Sequence, residues 1–223
     1  WQFVQVVRRD IAGDVTSDVS STALKFHGFG REREYDIVLA EHYDELMLAA
    51  GGSSSWGGAV IRADVTLNET SDDWVASLVA NWSYSWVWGG HNVSAVAEYF
   101  YSGFGLRQSD YSPANIRDNT ELAERIARGE LYTVGRHYLA SSLLIEVNPL
   151  LNITPNLFIN MGDGSALAQV VAQWSVSQNW QILGSVSIPM GPVGTEYGGL
   201  ETGVGQATLS TGPALFAQLA WYF

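Results

Sequence analysis

The chain has 223 residues, of which 47% are hydrophobic and 15% charged, and its formal net charge is −12. The 23 acidic residues outnumber the 11 Lys and Arg residues, which argues against an extended basic surface for nucleic acid. The absence of cysteine excludes disulfides and thiolate metal sites, and no apolar run approaches the roughly 18 residues of a transmembrane helix.

The first quarter of the chain shows a weak strand pattern. We expect one strand within residues 1–8 and another around residues 22–27. Between residues 35 and 50 the alternation breaks at residues 41–45, so this stretch predicts either one bulged strand or two short ones. Counted as one strand, it gives about eleven strands in all.

From residue 59 onward the side chains alternate clearly. In residues 74–86 the even positions carry Trp, Ala, Leu and Tyr, whereas the odd positions carry Val, Ser and Asn. A period of two predicts strands, each near the roughly 9–11 residues that a tilted membrane-spanning strand needs. The segments with this pattern are 59–67, 74–86, 93–101, 131–147, 157–160, 166–176, 181–188 and 215–223.

Such a chain can span a bilayer only as a closed sheet, because lipid offers no partners for open backbone groups. The pattern therefore predicts an all-β fold, with residues 1–223 forming one transmembrane antiparallel up-and-down β-barrel of about 11–12 strands. Single-chain bacterial barrels have even strand numbers. Since the count is odd, either one strand is miscounted or the chain lacks an N-terminal portion. We favour the second alternative, in which the chain is the C-terminal portion of a larger barrel of about 12–16 strands.

Connections of two lengths alternate along the chain. With the C-terminus on the periplasmic side, the long segments 105–130 and 191–213 both fall outside the cell, together with 68–73 and 161–165. The short joints 87–91, 148–152 and 177–179 then fall in the periplasm, and the aromatic residues gather near both rims. Within 105–130, Asn119 or Thr120 predicts the cap of a short helix that ends at Gly129.

The polar phase of the strands is expected to face the barrel lumen, because a charge facing lipid costs about 2–4 kcal/mol near the midplane. Such charges either set the ion preference of a pore or pair with one another across strands. The candidate lumen-lining residues are Lys25, His27, Arg62, Asp64, Glu98, Arg136 and Glu146. Bulky residues are also expected on inward positions, namely Val96, Phe100, Tyr132, Tyr138, Leu144 and Phe158.

The sequence predicts no catalytic, cofactor or metal site. Residues 41–45 gather one imidazole and three carboxylates, but their spacing matches no metal motif, so we interpret them as solvated charges at a rim or bulge. The run His91-Asn92-Val93-Ser94 lies at a predicted turn and does not form a recognisable hydrolase motif.

The chain resembles Gram-negative outer-membrane β-barrel proteins of the porin-like kind. Its C-terminal Trp221-Tyr222-Phe223 is similar to the signal read by the barrel assembly machinery, although Gln218 and Phe216 depart from the usual residues. Residues 129–139 and 210–213 look like segments of uncharacterised proteobacterial barrel proteins. The resemblance implies a bacterial outer-membrane location, contact with outer-membrane lipid, and handling by the assembly machinery.

The sequence leaves three functions open. The leading expectation is a passive channel for ions or small solutes, leaning towards cations because of the acidic balance. The alternative is a non-conducting barrel that holds a protein partner or plug, or assembles as a homo-oligomer, and bulky inward residues favour it. A barrel-wall hydrolase is the third, although the sequence favours a protein that is not an enzyme.

Overall fold

A computed structural model shows an all-β chain built on one antiparallel up-and-down sheet of twelve strands. It describes residues 1–31, 33–71, 73–204, 207–209 and 212–223. The strands of this sheet pair in the order β1-β2-β3-β4-β5-β6-β7-β8-β9-β10-β11-β14, so each strand follows its predecessor in the chain. Among the described residues the sheet is open, with β1 and β14 as its two edges.

The strand bounds are as follows: β1 Gln2–Val6, β2 Ser21–Gly30, β3 Arg33–His42, β4 Glu45–Trp56, β5 Ala59–Glu69, β6 Trp74–Trp88, β7 His91–Tyr101, β8 His137–Asn148, β9 Leu151–Asn160, β10 Ala166–Ser177, β11 Trp180–Met190, β12 Leu200–Glu201, β13 Thr208–Leu209 and β14 Ala214–Trp221. The short strands β12 and β13 pair with each other and lie within the connection between β11 and β14.

The chain divides into two compact units. Unit 1 contains residues 1–81 and 101–103, and therefore holds β1–β5 and the first half of β6. Unit 2 contains residues 82–100 and 104–223, and holds the remaining strands and both α-helices. These helices are α1 Pro113–Asp118 and α2 Thr120–Ala127.

The predicted helix in the long insertion is confirmed. The Asn119 side chain accepts a hydrogen bond from the Leu122 amide at the start of α2, and Gly129 takes a positive φ of 73° just after its end. The preceding helix α1, which the sequence pattern did not predict, begins at Pro113 under a Ser112 cap. No helix in the described ranges is long and apolar enough to cross a membrane.

Of the two alternatives for residues 35–50, one bulged strand or two strands, the second is confirmed, so counting this stretch as one strand was wrong. Residues 35–50 belong to β3 and β4, which are longer than expected and turn at Tyr43 and Asp44 with φ values of 53° and 62°. Positive φ at both central residues is the geometry of a two-residue hairpin turn. With this hairpin the main sheet has an even number of strands, so the odd count that led us to expect a larger barrel is corrected.

The predicted strand 131–147 begins later than expected. β8 starts at His137, and residues 131–136 belong instead to the insertion between β7 and β8. Arg136 and Tyr132, predicted on a lumen-facing strand, therefore lie outside the strands, and Tyr132 is 88% exposed.

The remaining strand predictions are confirmed to within a few residues at most ends. The joints after β6, β8 and β10 are short, spanning residues 89–90, 149–150 and 178–179. The connections 102–136 and 191–213 are the two longest, as the sequence predicted, and the connection 7–20 between β1 and β2 comes next. Of the residues in predicted connections, Asp72, Gly205, Gln206, Ser210 and Thr211 lie outside the described residues.

The most completely buried apolar side chains of unit 2 include several from the long insertion. Phe104 is 6%, Leu122 0% and Val134 6% exposed, and each belongs to residues 102–136. Tyr138 at the start of β8 is also only 6% exposed. The insertion therefore has a small core of its own.

Candidate functional site on the polar face of the sheet

One face of unit 1 carries an exposed row of apolar side chains. Phe3, Leu24, Leu39, Leu48 and Leu67 are successive partners across β1 to β5. Each is at least 39% exposed, although each is fully apolar. A water-soluble sheet would bury such a row, because every exposed Leu forgoes about 2 kcal/mol of burial.

Unit 2 repeats this arrangement. Trp174, Ile182 and Leu219 are successive partners across β10, β11 and β14, and all are at least 37% exposed. Trp221 follows on the same face of β14, where its ring stacks on Trp180 at 5.9 Å between centroids. The apolar phase is thus exposed in both units.

The opposite face of unit 1 brings two predicted lumen residues together around a carboxylate. The Lys25 ammonium lies 3.0 Å from Oδ1 of Asp36, and His27 Nδ1 lies 2.9 Å from the same oxygen. His27 and Asp36 are direct partners across β2 and β3. One carboxylate oxygen of Asp36 therefore contacts both the Lys25 ammonium and the His27 imidazole on this face.

Arg62 and Asp64 extend the polar face onto β5. Register pairs Arg62 with Ser53 and Asp64 with Gly51, and Gly51 in turn with Asp36. Any side chain at Gly51 would overlap the Asp64 carboxylate, so that carboxylate lies over the glycine. Arg62 lines a cavity of about 540 Å³ together with Glu34 and Ser53.

The other three predicted residues belong to unit 2 and do not form one cluster. Glu146 on β8 accepts a hydrogen bond from the Asn92 carboxamide on β7. Glu98 also lies on β7, and is half-buried. Arg136 lies in the insertion and not on β8, and its Nε donates a 2.7 Å hydrogen bond to the Gly105 carbonyl.

The polar face of unit 2 is built mainly from carboxamides. Gln169 on β10 pairs with Asn156 on β9 and Ser187 on β11, and its Nε2 donates to the Ser187 hydroxyl at 3.0 Å. Further along, Gln173 pairs with Asn152 on β9. The alternation of β10 placed Gln169 and Gln173 on the polar face. Their neighbours on β9 and β11 depend on the strand register, which alternation does not predict.

A buried polar cluster joins three connections of unit 2. Oε2 of Glu196 accepts hydrogen bonds of 2.6 Å from both the Tyr138 phenol and the Asn160 carboxamide. Oε1 accepts the Val134 amide at 3.1 Å. The Glu196 amide in turn donates to Oδ2 of Asp163 at 2.7 Å, so the loops 102–136, 161–165 and 191–213 meet at one carboxylate. We call these contacts the loop cluster.

The loop cluster lacks a basic partner among its described contacts. Burial raises the pKa of Glu196, and its hydrogen bonds from Tyr138, Val134 and Asn160 partly oppose that rise. Burial likewise raises to about 12 the pKa of Tyr111, whose phenol oxygen accepts a 2.9 Å hydrogen bond from the Asn160 carboxamide. It also raises to about 12 the pKa of Tyr197, which follows Glu196 in the chain. All three groups lie in connections between strands.

Two of the histidines in the considered catalytic and metal motifs contact hydroxyl groups, and His42 Nδ1 lies 2.7 Å from the Ser21 hydroxyl. The Ser94 hydroxyl lies 2.8 Å from the Ser85 hydroxyl, and His137 Nδ1 lies 2.7 Å from the Tyr99 phenol. Residues 41–45 form the β3–β4 hairpin end. In the described part of the chain, no group of three or more His, Asp or Glu residues is arranged to hold a metal ion.

The sequence did not identify Asp36 and Glu34 as residues of the polar face. The alternation that would show β3 as a strand breaks at the following turn, so its faces could not be assigned. Tyr35, Ile37 and Leu39 alternate with Asp36 and Val38 once the strand is isolated. The useful signal was a polar pair, Tyr43-Asp44, between two alternating runs.

No protein-family model matches the chain, and no curated protein matches it. Among solved structures, it is similar to one described as the NanC porin in a rhombohedral crystal form. The sequence identity is 8% and the TM-score 0.38, with 99% of each chain covered. This likeness is a coarse one of fold, and it assigns no function.

Proposed function

We propose that the chain is a Gram-negative outer-membrane β-barrel that provides a porin-like passive path for ions or small solutes. The exposed apolar row Phe3-Leu24-Leu39-Leu48-Leu67, opposite the charged face of the same strands, carries the proposal. Outer-membrane barrels alternate apolar residues towards lipid and polar residues towards the lumen.

In this proposal the twelve-stranded sheet closes in the membrane, because lipid would leave open edges without hydrogen-bond partners. The long connections 102–136 and 191–213 lie outside the cell, and the short joints face the periplasm. The stacked pair Trp180 and Trp221 then belongs to the aromatic girdle at the periplasmic interface.

The proposed path is lined by the polar faces of the strands. In unit 1 these carry Lys25, His27, Asp36, Arg62 and Asp64, so ions passing this face meet both signs of charge. Glu98 and Glu146 are the proposed charged residues of the unit 2 lining. Ion preference then depends on their balance, not on the net charge of the whole chain.

A specific contact favours a second candidate, a non-conducting barrel that holds a protein partner or plug. The rings of Phe100 and Tyr138 stack at 6.0 Å between centroids, on strand positions that would face inward. In this candidate, the two rings and the insertion beside them fill the interior at the strand ends and block the passage of solutes. Outer-membrane lipid, the barrel assembly machinery and a partner or homo-oligomer remain proposed partners.

Conductance in planar bilayers tests the proposal. The purified full chain, inserted from detergent into a solvent-free bilayer in potassium chloride, is expected to give discrete current steps. The same preparation after heat denaturation is the control for leakage. Steps that appear equally in the denatured control, or no steps from chain shown to be inserted, would overturn the channel and favour the plugged barrel.

A further inference from the structure

We infer that the polar face of β10, β11 and β14 binds an uncharged, hydroxyl-rich solute, a neutral oligosaccharide. The inference rests on the proposed function, because solutes reach this face only if it lines a water-filled interior. It goes further by naming the solute class and the side chains that recognise it.

The first observation is the absence of charge. The strands β9, β10, β11 and β14, all described, contain no Asp, Glu, Lys, Arg or His. An ion held between β10, β11 and β14 would lose water without meeting an opposite charge on these strands, which is costly. A neutral solute does not suffer that loss, so this face discriminates by charge.

The second observation is what replaces the charges. Carboxamides recur on the polar positions of these strands, and each offers two N–H donors and a carbonyl acceptor. A sugar hydroxyl both donates and accepts, so it can use both ends of such a group. The carboxamides of this face are those of Gln169, Gln173, Gln181 and Gln218, and Asn152 and Asn156 of the adjoining β9 extend it.

Three of these carboxamides, those of Gln173, Gln181 and Gln218, line a cavity of about 150 Å³. Its lining residues are Gln173, Gln181, Leu183, Gln218, Ala220 and Tyr222. Register places Gln173, Leu183 and Gln218 in one row across β10, β11 and β14. The two glutamines are therefore two strand spacings apart, roughly 10 Å, and a solute with hydroxyls on opposite edges can bridge them.

The hydrogen bonds within the cavity leave recognition groups available. The Tyr222 phenol donates to Oε1 of Gln181 at 3.3 Å, which orients that carboxamide. Within the described ranges, the side chains of Gln173 and Gln218 make no hydrogen bond to protein, so both can bind a solute.

Exposed aromatic rings complete the site. Phe216 and Tyr222 lie on the same face of the last strand segment as Gln218, and they are 50% and 57% exposed. A sugar ring has an apolar C–H face that packs on an aromatic ring while its hydroxyls bond to polar groups. Trp221 points to the opposite, apolar face, so the membrane girdle does not account for Phe216 and Tyr222.

The test measures binding and block separately on the full chain. The neutral trisaccharide raffinose and the acidic trisaccharide trigalacturonate are titrated into the detergent-solubilised protein, and binding is followed by saturation-transfer NMR. Raffinose is expected to bind in the millimolar range and trigalacturonate much more weakly. In bilayers, raffinose is expected to add reversible current blocks.

Two variants test the cavity itself. Gln173→Leu and Gln218→Leu keep similar bulk but remove the carboxamide, and each is expected to weaken raffinose binding about fivefold. Gln178→Leu, at the β10–β11 turn and outside the cavity, is the matched control and should bind as the parent does. Heat-modifiable migration on gels confirms that each variant is folded.

The outcomes separate this inference from the proposed function. Current steps without raffinose binding, equal binding of trigalacturonate, or unaltered binding by both cavity variants would each overturn the sugar site and leave the channel intact. Raffinose binding that is sensitive to both variants, in a protein without conductance, would support the site and remove the channel.

Discussion

The Tyr138 phenol donates a 2.6 Å hydrogen bond to the Glu196 carboxylate, 58 positions further along the chain. The same phenol oxygen accepts the Gly135 amide at 2.6 Å, so one side chain links the insertion, the start of β8 and the loop 191–213. Three donors converge on Glu196, and each requires an acceptor. The ionised carboxylate meets that requirement with both of its oxygens.

Glu196→Gln is expected to loosen the loop cluster by about 1–3 kcal/mol, because the new NH₂ group would face a donor. Hydrogen exchange checks this at the Leu106 and Val134 amides, whose protection should fall by roughly tenfold to a hundredfold. Glu201→Gln, an exposed change in the same connection, is the control. Equal protection in the two variants would show that Glu196 does not hold the cluster.

Alkaline pH is expected to release the loop cluster. Burial raises the pKa of Tyr111 and Tyr197 to about 12 from an ordinary value of 10.0. Since the docked loops keep protons that the undocked loops lose, docking is fully stable below pH 10 and weakens as the pH rises from about 10 to about 12. Protease cleavage within residues 105–130 measures the release.

Tyr197→Phe removes one ionising group while it keeps the ring, so the pH of half-release should move upward. The exposed Tyr132→Phe is the control and should leave that pH where it was. If both variants release at the pH of the parent, tyrosine ionisation is not the cause.

Much of the fold was predictable because alternation is a local signal. The segment 74–86 repeats it over thirteen positions, and β6 spans Trp74–Trp88. The cap of α2 was predictable for the same reason, since Asn119 lies three residues before the Leu122 amide that it binds. Such features depend on neighbours within one turn or one strand.

Long-range contacts explain what the sequence did not give. Residues 131–136 alternate like a strand, yet the Val134 amide is bound by Glu196 and its carbonyl by the Leu106 amide. These bonds hold the segment out of β8. The sequence did not decide between a bulge and a turn at residues 41–45, because Tyr43 and Asp44 take positive φ without glycine, the usual signal of such a turn.

The sequence predicted which side chains lie on the polar face, but not which of them contact one another. Lys25 and His27 were expected to point the same way, but Asp36, which joins them, depends on the β2–β3 register. The cavity at Gln173 and Gln218 likewise depends on strands that are 45 positions apart at those residues, a pairing that alternation cannot specify.

Lysine substitutions at two adjacent residues of β5, one on each face of the strand, test which face contacts lipid. Val65 is 38% exposed on the apolar face, and Thr66 is half-buried on the polar face. Val65→Lys should destabilise the vesicle-inserted protein by about 2–4 kcal/mol in urea unfolding, because the charge would lie in hydrocarbon. Thr66→Lys, with a similarly shaped parent residue, should cost much less.

The comparison within this pair removes the general effect of adding a lysine to a strand. Equal losses in the two variants would mean that both faces meet the same environment. A larger loss at Thr66 would mean that the apolar face is the one in contact with water, and the membrane proposal would then fail.

The charge on the shared carboxylate of unit 1 is expected to set part of the ion preference. Asp36→Asn leaves Lys25 and His27 without their acidic partner, so the cation-to-anion permeability ratio should fall roughly twofold in a potassium chloride gradient. Arg62→Gln removes a positive charge from the same face and should move the reversal potential in the opposite direction. Asp18→Asn, in the connection before β2, makes the same charge change away from the strands and should leave it unaltered. If Asp36→Asn and Arg62→Gln move the reversal potential in the same direction, or not at all, these charges pair structurally and do not face the conducted ions.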